Sequence, residues 1–483
     1  MRWKFILHLI GVLVISIGLC MVFPVLFSLY YGQGDLDPLL QSMAITVGSG
    51  LLLFLGTRGA NKQAAMSHRE GMIITGLGWF AAGAFGSLPF LFSGEFASLT
   101  DAVFESFSGF TTTGASILTD IEALPRGLLF WRSFTHWLGG MGIIVLSLAI
   151  LPFLGVGGMQ LYRAEVPGPV PDKLKPRIKD TALTLWKVYL FFSALEAALL
   201  LLGGMSLFDA LCHTFGTMAT GGFSTRNASI AAFDSAYIQY VITLFMLLAG
   251  INFSLHYRLL RGKPLALWRD PECRTFLGLF AACLVIMVSC TYGDTYDSFW
   301  DSLRFGSFQV ASILTTTGYA TADYELWLPL CQIILLFLMF VGGSAGSTGG
   351  GMKVMRLMLL VKSSYKELMR LIHPRAVLHV KFGRKVVSDD VTRGIWGFFI
   401  LWLLLFALGA LTVAATGVDV MSSFAASLAC IGNIGPGVGL VGPTDNYAFM
   451  SDFAKWVLIL LMVLGRLEIY TIIILFIPEF WRK

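Results

Sequence analysis

Four short stretches of this chain carry the residue types that coordinate a dehydrated monovalent cation: Thr111-Thr112-Thr113-Gly114, Ala219-Thr220-Gly221-Gly222, Thr315-Thr316-Thr317-Gly318 and Gly432-Asn433-Ile434-Gly435. Such an ion needs several oxygens of modest partial charge, with no fixed countercharge to hold it too tightly. Threonine supplies a hydroxyl and a carbonyl, while glycine permits the backbone angles that turn carbonyls inward. Carboxylates, which favour divalent ions, are absent from all four stretches. The chemistry points to potassium or another monovalent cation without by itself choosing potassium.

The last glycines, Gly114, Gly222, Gly318 and Gly435, lie 108, 96 and 117 residues apart, and each stretch sits between two long apolar segments. That is the signature of one unit repeated four times. The elements around the loops follow from composition. Of 483 residues, 56% are apolar and only 13% charged, and the mean hydropathy is +0.76. A soluble domain carries nearer about 25% charged residues, so the chain is read as a polytopic membrane protein. The net charge of +5 is small, and its Lys and Arg gather at the ends of apolar segments, which fits membrane orientation rather than nucleic-acid binding.

Apolar segments long enough to span the hydrocarbon fall near 5–30, 38–56, 71–93, 128–156, 182–205, 236–256, 275–292, 327–345, 394–416 and 454–478. The first is read as a span rather than a signal peptide, because the apolar run continues to Phe27 and no A-x-A site follows. The connections alternate in charge. Basic ones include Arg58, Lys62 and Arg69, and the segment 353–393 with ten Lys or Arg against three acids. The others lean acidic, with Glu95, Asp101, Glu105, Asp120 and Glu122 in one and Asp294, Asp297, Asp301, Asp323 and Glu325 in another. By the positive-inside rule the basic connections and both termini are cytoplasmic, and the four loops open outward.

Asp101, Asp209, Asp301 and Asp419 stand 13, 13, 17 and 16 residues before the glycine of their loops. An Asp in the first turn of a short helix caps free N–H groups and complements the dipole; the far end of that helix then directs partial negative charge at the loop. Each repeat is therefore read as span, short re-entrant helix, loop, span. Irregular backbone at membrane depth must be buried in protein or line a water-filled cavity, so the four loops should converge on one axis. The expected fold is an all-α polytopic membrane protein with four such repeats in pseudo-fourfold arrangement plus two N-terminal spans. The expected divisions are 1–70 for the N-terminal spans and their loop, then repeats at 71–165, 166–262, 263–373 and 374–483.

The loops F-T-T-T-G-A-S, M-A-T-G-G-F-S-T, L-T-T-T-G-Y-A and I-G-N-I-G-P-G resemble the four filter loops of the TrkH, TrkG and KtrB superfamily of potassium transporters. The runs at 139–146 (G-G-M-G-I-I-V-L), 155–165 (G-V-G-G-M-Q-L-Y-R-A-E), 346–353 (G-S-T-G-G-G-M-K) and 464–468 (L-G-R-L-E) are similar to its TrkH and TrkG branch. The resemblance covers essentially the whole chain. It implies potassium uptake through a filter marked by Gly114, Gly222, Gly318 and Gly435, in a multi-pass protein of the bacterial inner membrane. It also implies a homodimer and a TrkA-like cytoplasmic nucleotide-binding regulatory subunit docked on 353–393, with no covalent cofactor and potassium as the transported ion. The loops depart from strict repetition, since Gly221 stands where loops 1 and 3 have Thr113 and Thr317, and loop 4 has Gly432, Asn433 and Ile434. None carries T-V-G-Y-G, which implies a shorter and less selective site than that of dedicated potassium channels.

Two further features lie below the loops. Gly342, Gly343, Gly346, Gly349, Gly350 and Gly351 place six glycines in ten residues after the span 327–345, a density that disfavours helix. The resemblance implies an intramembrane gate there rather than a flexible cytoplasmic linker. Arg466 lies inside the span 454–478, where a buried arginine marks an ion path or a paired site; the resemblance implies an electrostatic barrier projecting into the pore, the alternative being a structural pair. The run Gly437–Gly442 matches G-x-G-x-x-G but leads into Pro443 instead of a helix, so it is not read as a dinucleotide site. The seven cysteines are scattered without C-x-x-C and read as inert thiols. Among the histidines only His136, mid-span beside Trp137, is a candidate for proton coupling. A sodium- or proton-coupled symporter is the alternative within transport. A membrane-embedded enzyme would need a convergent nucleophile and base or a metal set within the spans, and the sequence offers none.

Overall fold

The computed structural model describes residues 1–59, 66–142, 178–383 and 385–482. The run 155–165, residues 143–156 of the fourth expected span and Lys62 lie outside them. Among the described residues, six helices are long and apolar enough to cross a membrane: Trp3–Tyr31, Leu36–Gly56, Arg69–Ser93, Thr181–Leu202, Pro271–Thr291 and Asp389–Ala414. Two further pairs qualify only when each is joined across a sharp bend. The first two spans pack closely, since a Cβ at Gly11 would come 2.9 Å from the Phe54 nitrogen and one at Gly50 2.8 Å from the Ile15 nitrogen. Small residues at such crossings let backbones meet in lipid, where no hydrophobic force between helices assists them.

Four short helices precede the four loops: Leu99–Phe110, Leu207–Met218, Phe299–Leu314 and Val420–Gly432. Their starts differ from the sequence expectation. In the first two, Ser98 and Ser206 are the N-caps, their hydroxyls accepting from the amides of Asp101 and Asp209 at 3.1 Å each. Ser298 precedes the third helix, where Asp301 pairs with Arg304 at 2.9 Å. Only Asp419 is itself the cap, accepting from Ser422 at 3.0 Å. The other three Asp residues stand in the first turn, where they still complement the dipole. Asp101 also meets Lys455 Nζ at 2.6 Å, a buried pair between the first re-entrant helix and the last long helix, Asp452–Arg466.

The larger correction concerns the second spans of repeats 2 and 4, which are broken rather than continuous. In repeat 2, Ala236–Ala249 and Phe253–Leu260 meet at 104°, and in repeat 4, Asp452–Arg466 and Tyr470–Phe476 meet at 111°. In repeat 1, Arg126–Trp137 passes into a π turn at Leu138–Gly142. In repeat 3, Pro329–Val341 and Val354–Ile372 are separated by the glycine-rich loop. Gly139, Gly250, Gly342 and Gly465 lie in or beside these interruptions. Arg466, expected mid-helix, is therefore the last residue of its helix. A two-residue antiparallel hairpin, Lys381–Phe382 with Lys385–Val386, lies in the basic connection before Asp389–Ala414.

Candidate cation pathway

Each re-entrant helix ends in the same backbone motif. The amides of Thr113, Gly221, Thr317 and Ile434 donate to the carbonyls of Ser108, Gly216, Ser312 and Ala429 at 2.9, 2.7, 2.8 and 2.9 Å. The preceding residues Thr112, Thr220, Thr316 and Asn433 donate to Gly109, Thr217, Ile313 and Cys430. This double wrap is the Schellman cap, which needs one left-handed residue at its centre. Thr112, Thr220, Thr316 and Asn433 take that role, with φ of 53°, 55°, 61° and 54°. A β-branched residue there is strained, whereas Asn tolerates the conformation. The departure of loop 4 from threonine at 433 therefore preserves the backbone.

The wrap turns each helix end so that the next glycine, also left-handed at φ 80–97°, abuts the neighbouring loop. A Cβ at Gly114 would overlap the carbonyl oxygen of Gly221, one at Gly222 that of Thr317, and one at Gly318 that of Ile434; one at Gly435 would come 2.7 Å from that of Thr113. The relation runs from loop 1 to 2, 3, 4 and back to 1. The four loops therefore form a closed ring on one axis, as the repeat pattern predicts. The carbonyls carry this ring, and four of the neighbouring hydroxyls pair with each other: Thr111 meets Thr113 Oγ1 at 2.8 Å and Thr315 meets Thr317 Oγ1 at 2.7 Å. Residue types alone point to hydroxyls and carbonyls together.

An outer collar fixes the ring. Asn227 Oδ1 accepts from Ile121 N at 2.6 Å and its amide donates to Asp120 at 2.9 Å, which holds the exposed Asp120 carboxyl below its ordinary range. Ile230 and Ala231 donate to Ala320 O at 3.1 Å each, Tyr324 donates to Gly437 O at 2.6 Å, and Tyr447 N donates to Ser116 O at 2.8 Å. Inside the collar Asn433 Nδ2 donates to Thr113 Oγ1 at 2.9 Å, joining loops 4 and 1.

His136 explains why loop 2 has Gly221 in place of threonine. A Cβ at Gly221 would fall into the His136 imidazole. Phe223 N donates to Nε2 at 3.3 Å, so the ring proton sits on Nδ1, which lies 2.8 Å from Gly109 O. Both nitrogens are committed, which favours packing over proton relay for this residue. Gly221→Thr is therefore expected to lower uptake at least about tenfold, and His136→Ala in the same chain to recover most of it, a coupling of the size found for residues in contact. A double variant no better than Gly221→Thr alone would show that lost space is not the cause.

The glycine-rich loop lies directly below the ring. Gly350 N donates to Thr316 Oγ1 at 2.6 Å, Gly351 N to Gly432 O at 2.9 Å, and Thr348 Oγ1 to Met218 O at 2.9 Å. It thus touches the ends of re-entrant helices 2, 3 and 4. Its glycines admit this approach, since a Cβ at Gly349 would come 3.0 Å from Thr315 O and one at Gly350 would overlap Gly432 O. Gly342 and Gly346 are left-handed at φ 77° and 78°, and Gly343 carries Val354 N at 3.1 Å on its carbonyl. Lys353 Nζ donates back to Gly349 O, and Glu272 accepts from Ala345 N at 2.8 Å and Met355 N at 3.0 Å. Arg466 Nη1 donates to Thr348 O at 2.8 Å, while Nη2 donates to Gly139 O at 2.9 Å and Gly140 O at 3.2 Å. One guanidinium thus bridges the glycine-rich loop and the π turn of repeat 1. Glu468, beyond the end of that helix, pairs with Arg356 at 2.5 Å.

Residues 40–483 match the family model described as TrkH, cation transport protein. The chain is 44% identical over 490 residues to the Trk system potassium uptake protein TrkH of Salmonella typhimurium and 46% identical over 487 residues to that of Halomonas elongata, with 100% of both chains covered in each case. It is 38% identical to the Escherichia coli potassium uptake protein TrkG, over 99% of each chain. The crystal structure of the potassium transporter TrkH from Vibrio parahaemolyticus superposes with a TM-score of 0.90 at 39% identity, covering 100% of both chains. With its fold and its full length accounted for by these relatives, the chain belongs to the TrkH family of cation transport proteins.

Proposed function

We propose that this protein takes up potassium across the bacterial inner membrane, the ion passing through the ring formed by Thr111–Gly114, Thr220–Gly222, Thr315–Gly318 and Asn433–Gly435. The observation that carries the reading is the closed relay of glycine against carbonyl around all four loops. It supplies backbone oxygens on one axis with no carboxylate among them, which suits a monovalent ion. The names of the full-length relatives point to potassium as that ion.

In this reading the loop of Gly342, Gly343, Gly346, Gly349, Gly350 and Gly351 is the gate, held closed by Arg466. Both termini are cytoplasmic, and the boundaries at 70, 165, 262 and 373 separate the N-terminal spans and the four repeats. The helix Val354–Ile372 runs from the gate into the basic segment 353–393. A TrkA-like nucleotide-binding subunit docked there pulls directly on the gate, and the family resemblance adds a homodimer. The functional test is growth of a cell lacking potassium uptake systems at limiting potassium. Expression of this chain with a TrkA-like partner is expected to restore growth and rubidium uptake; a well-expressed chain that restores neither contradicts the reading.

A further inference from the structure

The four loops are braced unequally from behind. Nine residues before the ring glycines stand Glu105, His213, Gln309 and Ala426. Glu105 accepts from Ser116 Oγ at 2.9 Å and Ile117 N at 3.0 Å, the second and third residues beyond Gly114. His213 Nε2 meets Ser224 Oγ at 3.0 Å, the second residue beyond Gly222. Gln309 Nε2 reaches Ala322 O at 2.9 Å, and Ala426 has no side chain to reach with. The same helical position thus offers a carboxylate, an imidazole, an amide and nothing.

The carboxylate is joined to a second charge. Arg132 Nε donates to Glu105 Oε1 at 2.6 Å, and both side chains are almost fully buried, at 2% and 0% exposure. Arg132 then crosses to the neighbouring loop, where Nη1 donates to Ser224 O at 2.9 Å and the guanidinium carbon lies 3.6 Å over the Phe223 ring. The two residues clamp the outer rims of loops 1 and 2 together without touching the ring carbonyls.

We propose that the Glu105–Arg132 pair is the specificity-determining brace of the filter: by clamping the rims of loops 1 and 2 it fixes their separation at the aperture that suits potassium, and its loss admits sodium. The proposal rests on the reading of the ring as a potassium filter. A sodium ion is smaller, so carbonyls must close around it to replace its water, and a rim held by a buried charged network resists that contraction. Cutting one charged partner leaves the other buried and unpaired, which loosens the rim. The pair acts as a positioning element, so the telling readout is the ratio of ions carried rather than the amount of protein folded.

The test measures rubidium and sodium flux into vesicles holding wild-type protein, Glu105→Gln, Arg132→Met, Arg132→Lys or Ser116→Ala. Arg132→Met and Glu105→Gln are expected to lower the rubidium-to-sodium ratio by about tenfold, the scale of one charge-assisted hydrogen bond. Arg132→Lys keeps the charge and is expected to retain more of the ratio than Arg132→Met. Ser116→Ala removes one contact of Glu105 without burying an unpaired charge, and is expected to lower the ratio about two- to threefold. Ser116→Ala decides the matter if the charge variants do not fold, and a wild-type ratio in that variant overturns the proposal. A wild-type protein that carries neither ion would instead overturn the reading of the ring itself.

Discussion

The Gly222→Ala variant is expected to lose rubidium uptake by at least about a hundredfold, while the Gly204→Ala variant keeps most of it. Both glycines are left-handed, at φ 80° and 91°, so a methyl group strains each backbone by about 1–2 kcal/mol. Their surroundings differ. A Cβ at Gly204 meets nothing within 4 Å, whereas one at Gly222 overlaps the Thr317 carbonyl oxygen and lies 3.1 Å from the Gly318 carbonyl carbon. Those atoms are backbone and cannot rotate aside, so overpacking adds about 1–3 kcal/mol and moves a carbonyl oxygen of the proposed filter. At Gly222 strain and clash both fall on the ring and together reach about 3 kcal/mol, which is about a hundredfold. At Gly204 the strain falls on the turn ahead of the second re-entrant helix, outside the ring. Uptake initial rates for folded, equally expressed variants separate the two effects, and equal losses at both positions would locate the defect in strain alone.

The second large effect has the opposite sign. Arg466→Ala is expected to raise potassium conductance of purified protein in vesicles by about tenfold or more. The guanidinium donates to Thr348 O on the glycine-rich loop and to Gly139 O and Gly140 O in the π turn of repeat 1. Charge-assisted bonds contribute about 1.5–3 kcal/mol each. Losing even one such increment of preference for the closed arrangement raises the open fraction about tenfold when the open state is rare. The loop keeps its contacts through Gly350 N, Gly351 N and Thr348 Oγ1, so the ring above is left intact. Conductance that is unchanged or lower would assign Arg466 a structural role.

Much of this architecture was legible in the sequence because its signals are local. The four loops announce themselves by Thr and Gly types at a recurring interval, and the glycine-rich stretch by density alone. The breaks in repeats 2 and 4 were not legible, since hydropathy does not fall at them: Gly250-Ile251-Asn252 and Leu464-Gly465-Arg466 are flanked by apolar residues that continue the run. A glycine within each of these runs was the available signal. The left-handed threonines were hidden for a different reason, because strain at Thr112, Thr220 and Thr316 opposes local preference and is imposed by the ring. The exchange of a threonine side chain for His136 in loop 2 joins residues 85 positions apart, which no local pattern records. The Glu105–Arg132 brace falls in the same class, since neither residue forms part of a repeated motif.

The central claim is that the cation sits within the ring of Thr113, Gly221, Thr317 and Ile434 carbonyls. Anomalous diffraction from crystals grown in rubidium tests it most directly. The structure predicts an anomalous peak on the loop axis, within coordinating distance of those four oxygens and above the glycine-rich loop. Rubidium peaks confined to other positions, with this ring lacking one, would contradict the account.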